Sequence, residues 1–174
     1  AALAAAGVAV KILTGDNERI TRHICGEIGV PVTGVITGAE LAGLSEEALV
    51  ARVPGVNLYC RVTPQQKERV LLACKKAGHV VGFLGDGIND ASALHAADVG
   101  ISVDSAADVA KEAADLVLLE HDLGVVREGV AEGRRTVENV TKYIMMGASS
   151  NLGNMVSMAG AALVLPFLPM LPPQ

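Results

Sequence analysis

The segment VVGFLGDGINDASAL, Val80 to Leu94, carries the densest chemistry in the chain. An apolar run leads into Gly85 and Gly87, and Asp86, Asn89 and Asp90 crowd the same turn. The glycines permit a tight bend after a strand, so Asp86 and Asp90 can bring two hard oxygen ligands to one point. Mg²⁺ suits such a donor set, because it binds through one or two carboxylates plus a substrate phosphate and keeps several waters. Asn89 can hydrogen-bond a phosphate oxygen or orient Asp90. Plain capping, with Asp86 turning the loop and Asn89 or Asp90 opening the next helix, needs fewer groups than are present.

Two further features belong at the same edge of the fold. LTGDN, Leu13 to Asn17, ends a strand and opens a helix. There Thr14 offers a hydroxyl, Gly15 allows close approach of backbone to an anion, and free N–H groups favour phosphate. An ordinary turn capped by Asp16 reads equally well from these residues alone. Lys67 stands in the first turn of a helix, where a cation opposes the helix dipole unless an anion lies beside it; a solvated surface lysine is the plainer reading. Phosphate donors, a cation and a magnesium site together describe phosphoryl transfer, in which positioning and charge neutralisation supply most of the catalysis.

The elements that must position these groups follow from periodicity. Val8–Leu13 reads as a buried strand, followed by a helix capped by Asp16 or Asn17 with Ile20, Ile24 and Ile28 as its apolar stripe and Gly29 and Pro31 as its stop. Asn57–Arg61 is a second strand. In TPQQKERVLLACKKAG, Thr63 caps, Pro64 occupies the first helical position, Gln66 completes a capping box and Gly78 ends the helix. Val80–Leu84, Asp98–Val103 and Asp115–Leu119 are further strands, with a short helix in SAADVAKEAA, and 34–53 reads as one more crossover helix. Strands alternating with helices predict an α/β fold with a Rossmann-like, mostly parallel sheet and ligands at the strands' carboxyl ends.

Composition bounds the function. Of 174 residues, 51% are hydrophobic and 2% aromatic, so a core mainly of Ala, Val, Leu and Ile is expected. A net charge of −5 argues against nucleic acid as a partner. Cys25, Cys60 and Cys74 form no C-x-x-C and suggest neither a disulfide framework nor zinc. His23, His79, His95 and His121 have no ligand spacing. The chain has no initiating Met and ends in apolar sequence, which leads to the expectation that it is a piece of something larger.

A long helix is expected from Asp122. No charged residue follows Lys142, and 143–165 matches the ~20 residues that cross a bilayer, with Arg127, Arg134, Arg135 and Lys142 before it on the cytoplasmic side. Gly147, Ser150, Asn151, Asn154 and Ser157 fall within an arc of about 120° on a helical wheel. Such a stripe suits a membrane helix lining an ion path, or a buried core helix. The predicted organisation is therefore a domain over 1–121, a linking helix over 122–142 and a membrane segment over 143–174.

LTGDN, RVTPQQK and GDGINDASAL, in that order, resemble the haloacid dehalogenase-like phosphorylation domain of a P-type ATPase. ADVGISVDSAADVAKEAADLVLLEHDL, EGRRTVENVTKYI and SSNLGN extend the likeness along essentially the whole chain. The resemblance implies that Thr14 and Gly15 contact an aspartyl phosphate, that Asp16 belongs to the same turn and that Lys67 neutralises the transferred phosphoryl group. It further implies that Asp86 holds catalytic Mg²⁺, and that Asn89 and Asp90 position phosphate and metal. The D-K-T-G-T stretch bearing the family's phosphorylated Asp does not occur here, so the fragment alone is expected to be inactive, with ATP bound mainly by another domain. SVDSAADVAKEAADLVLLE and KYIMMGASSNLGNMVSMAGAALVLPFLPMLP look most like those of magnesium-transporting members, and Asn151 and Asn154 would then contact a partly hydrated Mg²⁺, or pack neighbouring helices. Calcium pumps resemble this stretch but carry Glu where Asn154 stands. The implied location is the plasma or inner membrane with residues 1–142 cytoplasmic. The alternatives are a calcium or heavy-metal pump, a soluble Mg²⁺-dependent phosphatase sharing the acid loop, and a truncated product acting only as a binding module.

Overall fold

A computed structural model describes residues 2–120 and 122–164. The chain divides into two compact units, the first ending at Arg127 and the second beginning at Glu128.

The first unit opens with α1 (Ala2–Ala5) and contains two parallel three-stranded sheets. In the first, β1 (Ile12–Leu13), β2 (Val35–Thr37) and β3 (Leu58–Cys60) lie in the order β1-β3-β2, with Leu13 opposite Tyr59 and Thr37 opposite Cys60. In the second, β4 (Gly82–Leu84), β5 (Val99–Val103) and β6 (Leu116–Leu118) run in sequence order, with Leu84 opposite Ile101. Parallel pairing demands crossovers, which α2 (Glu18–Glu27), α3 (Gly38–Gly43), α4 (Glu46–Arg52), α6 (Ala91–Ala96) and α7 (Asp108–Ala113) provide, while α5 (Pro64–Lys76) leads from the first sheet to the second.

Helix α5 joins the halves. It starts as the sequence predicts: Thr63 Oγ1 accepts from the Gln66 N–H at 3.3 Å, and Gln66 Oε1 accepts from the Thr63 N–H at 3.0 Å. Gly78, at φ 87°, follows its end in the left-handed region that glycine tolerates. Val70, Ala73 and Cys74 enter one apolar core with Leu41, Leu49 and Tyr59, whereas Leu71 enters a second with Phe83, Leu94 and Ala110. Arg69 donates to Glu46 and to the carbonyls of Leu41 and Leu44, which fastens α5 to the end of α3 and the start of α4.

Several sequence expectations are corrected. The expected first strand is paired only at Ile12–Leu13. The isoleucine stripe of α2 is not its core face: Ile20, Ile24 and Ile28 are 51%, 45% and 63% exposed, while Thr21 and Cys25 are buried. The expected single crossover over 34–53 is a strand, β2, and two helices, because Thr37 and Ser45 each cap a separate start.

The expected long helix is α8 (Leu123–Val164), opened by Asp122 Oδ1 accepting from the Gly124 N–H at 2.7 Å. Among the described residues, no helix is long and apolar enough to cross a membrane. Residues 143–164 of the expected spanning segment lie in α8, where Asn151, Asn154, the serines and the glycines dilute the apolar run, and Leu165 lies outside the described residues.

Candidate active site

The Thr14 turn is knitted into the loop that launches α5. Thr14 Oγ1 donates to Asp16 Oδ2 at 3.0 Å and accepts from the Asp16 N–H at 3.0 Å. Thr14 N–H donates to the Tyr59 carbonyl, Arg61 N–H to that of Asp16, and Val62 N–H to that of Thr14. Arg61 takes φ 53° to make this crossing, and Gly38 must lack a side chain beside it, since a Cβ there would lie 2.1 Å from the Arg61 carbonyl oxygen. Asn17, rather than Asp16, caps α2, accepting from the Ile20 N–H at 3.0 Å.

Lys67 meets an anion from its own chain. Its Nζ lies 2.6 Å from Asp90 Oδ1, and the two side chains are 16% and 10% exposed. Asp90 Oδ2 accepts from the Gly87 N–H at 3.4 Å. Gly85 has no room for a side chain, because a Cβ would sit 2.7 Å from Asp90 Cβ and 3.0 Å from Phe83 Cε1. The apparent conflict between a cation and the helix dipole is thus resolved by the Asp90 carboxylate.

Lys67, Asp86 and Asp90 line one cleft of about 430 Å³, with Leu13, Phe83, Leu84, Gly85, Val103 and Ser105. It lies at the carboxyl ends of β1, β4 and β5, the edge where open parallel sheets gather ligands. Thr14, Gly15 and Asp16 adjoin its Leu13 wall without lining it, and Asn89 is exposed and also outside the lining. Asn151 and Asn154 lie on α8 in the second unit. Sequence reasoning missed Ser105, although its place just after β5 at the carboxyl edge was a usable signal.

The donor set fits Mg²⁺. Among the described residues, no cluster of three or more His, Cys, Asp or Glu side chains could cage a metal. Two carboxylates beside space for phosphate and water are what magnesium, unlike structural zinc, requires. Asp86 is exposed to the cleft, and Asp90 keeps lone pairs beyond those used by Lys67 and Gly87.

The haloacid dehalogenase-like hydrolase family matches residues 1–98, and a second profile of the same description matches 73–129. The chain is 56% identical over 171 residues to the magnesium-transporting ATPase, P-type 1, of Salmonella typhimurium and 54% identical to that of Escherichia coli (strain K12). Each alignment covers 98% of this chain and 19% of the relative, so the chain spans about a fifth of those proteins' length. Among solved structures, a zinc-transporting PIB-type ATPase in its E2.Pi state superposes with a TM-score of 0.70 at 27% identity, over 91% of this chain and 22% of that one. The catalytic domain of a CPx-ATPase gives 0.53 at 26% identity, over 70% and 38%. The chain therefore belongs to the haloacid dehalogenase-like hydrolase family and corresponds to a segment of its P-type ATPases.

Proposed function

We propose that the chain supplies the cationic and carboxylate side of the phosphoryl-transfer site in an ATP-driven P-type transporter of Mg²⁺. The observation that carries this reading is the convergence of Lys67, Asp86 and Asp90 on one cleft, although Lys67 and Asp90 stand 23 positions apart. The nucleophilic Asp and most of the ATP-binding surface come from segments outside this sequence.

In this reading Lys67 places positive charge against the transferred phosphoryl group, and Asp90 keeps that ammonium from swinging into solvent. Asp86 and a free lone pair of Asp90 hold Mg²⁺, with Asn89 orienting phosphate. When bound, the metal neutralises charge developing on the phosphoryl oxygens. Thr14 and Gly15 contact the phosphoryl group, and Asp16 fixes the Thr14 hydroxyl for that contact. Residues 143–174 enter the plasma or inner membrane among neighbouring helices, with residues 1–142, including the start of α8, cytoplasmic. Asn151 and Asn154 face the ion path, where polar groups meet protein or water instead of lipid.

The test is ATPase activity of the complete transporter in lipid across a panel of divalent cations. Stimulation by transported Mg²⁺ is expected; stimulation by zinc or calcium but not magnesium would overturn the substrate assignment.

A further inference from the structure

Ser102 is fully buried in β5, at a position where an apolar side chain would pack without needing a partner. A buried hydroxyl costs free energy unless it is bonded, so its partner indicates its use. Ser102 Oγ donates to the Gly85 carbonyl at 3.0 Å. That carbonyl belongs to the peptide plane entering Asp86. The plane leaving Asp86 is held too, because the Asp86 carbonyl accepts from the Ala107 N–H at 3.1 Å. Gly85 N–H donates in turn to the Ile101 carbonyl at 3.0 Å. Both peptide planes flanking Asp86 are thereby pinned, and together they set the direction of its Cα–Cβ bond. Of these bonds, the one from Ser102 alone depends on a side chain.

We propose that Ser102 is a positioning residue that aims the Asp86 carboxylate at the metal. The inference rests on Asp86 as a magnesium ligand in the reading above. Groups that orient a metal ligand influence affinity strongly, so loss of the hydroxyl weakens metal binding by about tenfold. Ser102→Ala leaves the Gly85 carbonyl buried without this donor and frees the entering plane to rotate.

The experiment titrates Mn²⁺, in the presence of inorganic phosphate, into the full chain and follows free Mn²⁺ by electron paramagnetic resonance. Ser102→Ala is expected to bind about tenfold more weakly than the unsubstituted chain, and Ser102→Thr, which keeps the hydroxyl, within about threefold of it. Leu49→Ala, a core change remote from the loop, controls for general loss of stability and is expected to keep full affinity. Asp86→Asn should remove the binding altogether. If Asp86→Asn fails and Ser102→Ala binds normally, the positioning role is overturned while the metal site stands. Equal weakening in Leu49→Ala, or no rescue by Thr, also overturns it. Unchanged binding in Asp86→Asn would remove the metal-site reading itself, and this inference with it.

Discussion

Removing the ammonium of Lys67 should leave Asp90 as an almost buried carboxylate supported by one long hydrogen bond from Gly87. At 2.6 Å the gross attraction between the two groups is about 6 kcal/mol with an effective dielectric constant near 20. Much of this is offset by taking both groups out of water, while breaking a fully buried pair costs ~3–5 kcal/mol. Because both side chains retain some exposure to the cleft, a cost of about 2–3 kcal/mol is expected for Lys67→Met. Asp90→Asn in the same chain should restore much of that loss, since neither position then carries charge. The assay is a double-mutant cycle by urea unfolding in mild detergent, which keeps the apolar end of α8 from aggregating. A coupling energy of about 1–3 kcal/mol is expected. Coupling below about 0.5 kcal/mol would refute the argument, because it would mean that the ammonium and carboxylate are each solvated independently.

Three other consequences are open to measurement. Gly38→Ala forces a Cβ against the Arg61 carbonyl at 2.1 Å, where backbone must move, and should lower stability by about 2–4 kcal/mol on denaturation. Gly85→Ala pushes against Asp90 Cβ and should weaken Mn²⁺ binding by at least tenfold, detectable by the same paramagnetic titration. The Asp98 carboxyl is held below the usual carboxylate range by the Val81 N–H and then by Lys75, as Glu46 is by Arg69. Their stabilisation is complete above the ordinary carboxylate pKa and is lost as pH falls through the depressed folded values, so the thermal midpoint should drop below about pH 4. Asp98→Asn should flatten that drop.

What could be read from the sequence was local. The start of α5 is encoded by Thr63, Pro64 and Gln66 themselves, and each side chain does in the structure what its type and spacing predict. The acid loop was equally legible, because glycines and carboxylates at that density have few uses. Burial was not legible for α2: its strongest apolar periodicity faces outward, and the inward face is Thr21 and Cys25, a choice made by neighbouring elements. β2 escaped notice because its three residues adjoin a helix start and earn their strand geometry only by pairing with β3. The types at the site were visible, but the contact between Lys67 and Asp90 spans 23 positions, and the peptide planes around Asp86 are fixed by residues from the next strand and loop. The first pairing exists only once α5 lies beside the loop after β4, and the second only once β4 pairs with β5.

The central claim is that Asp86 serves phosphoryl transfer from ATP within a larger transporter. Its most direct test is the level of acid-stable phosphoprotein formed from radiolabelled ATP and Mg²⁺ by membranes carrying the complete protein. Asp86→Asn should lower that level by at least a hundredfold, on the order of 3 kcal/mol of lost stabilisation. Phosphoprotein at the unsubstituted level in Asp86→Asn membranes would contradict the account.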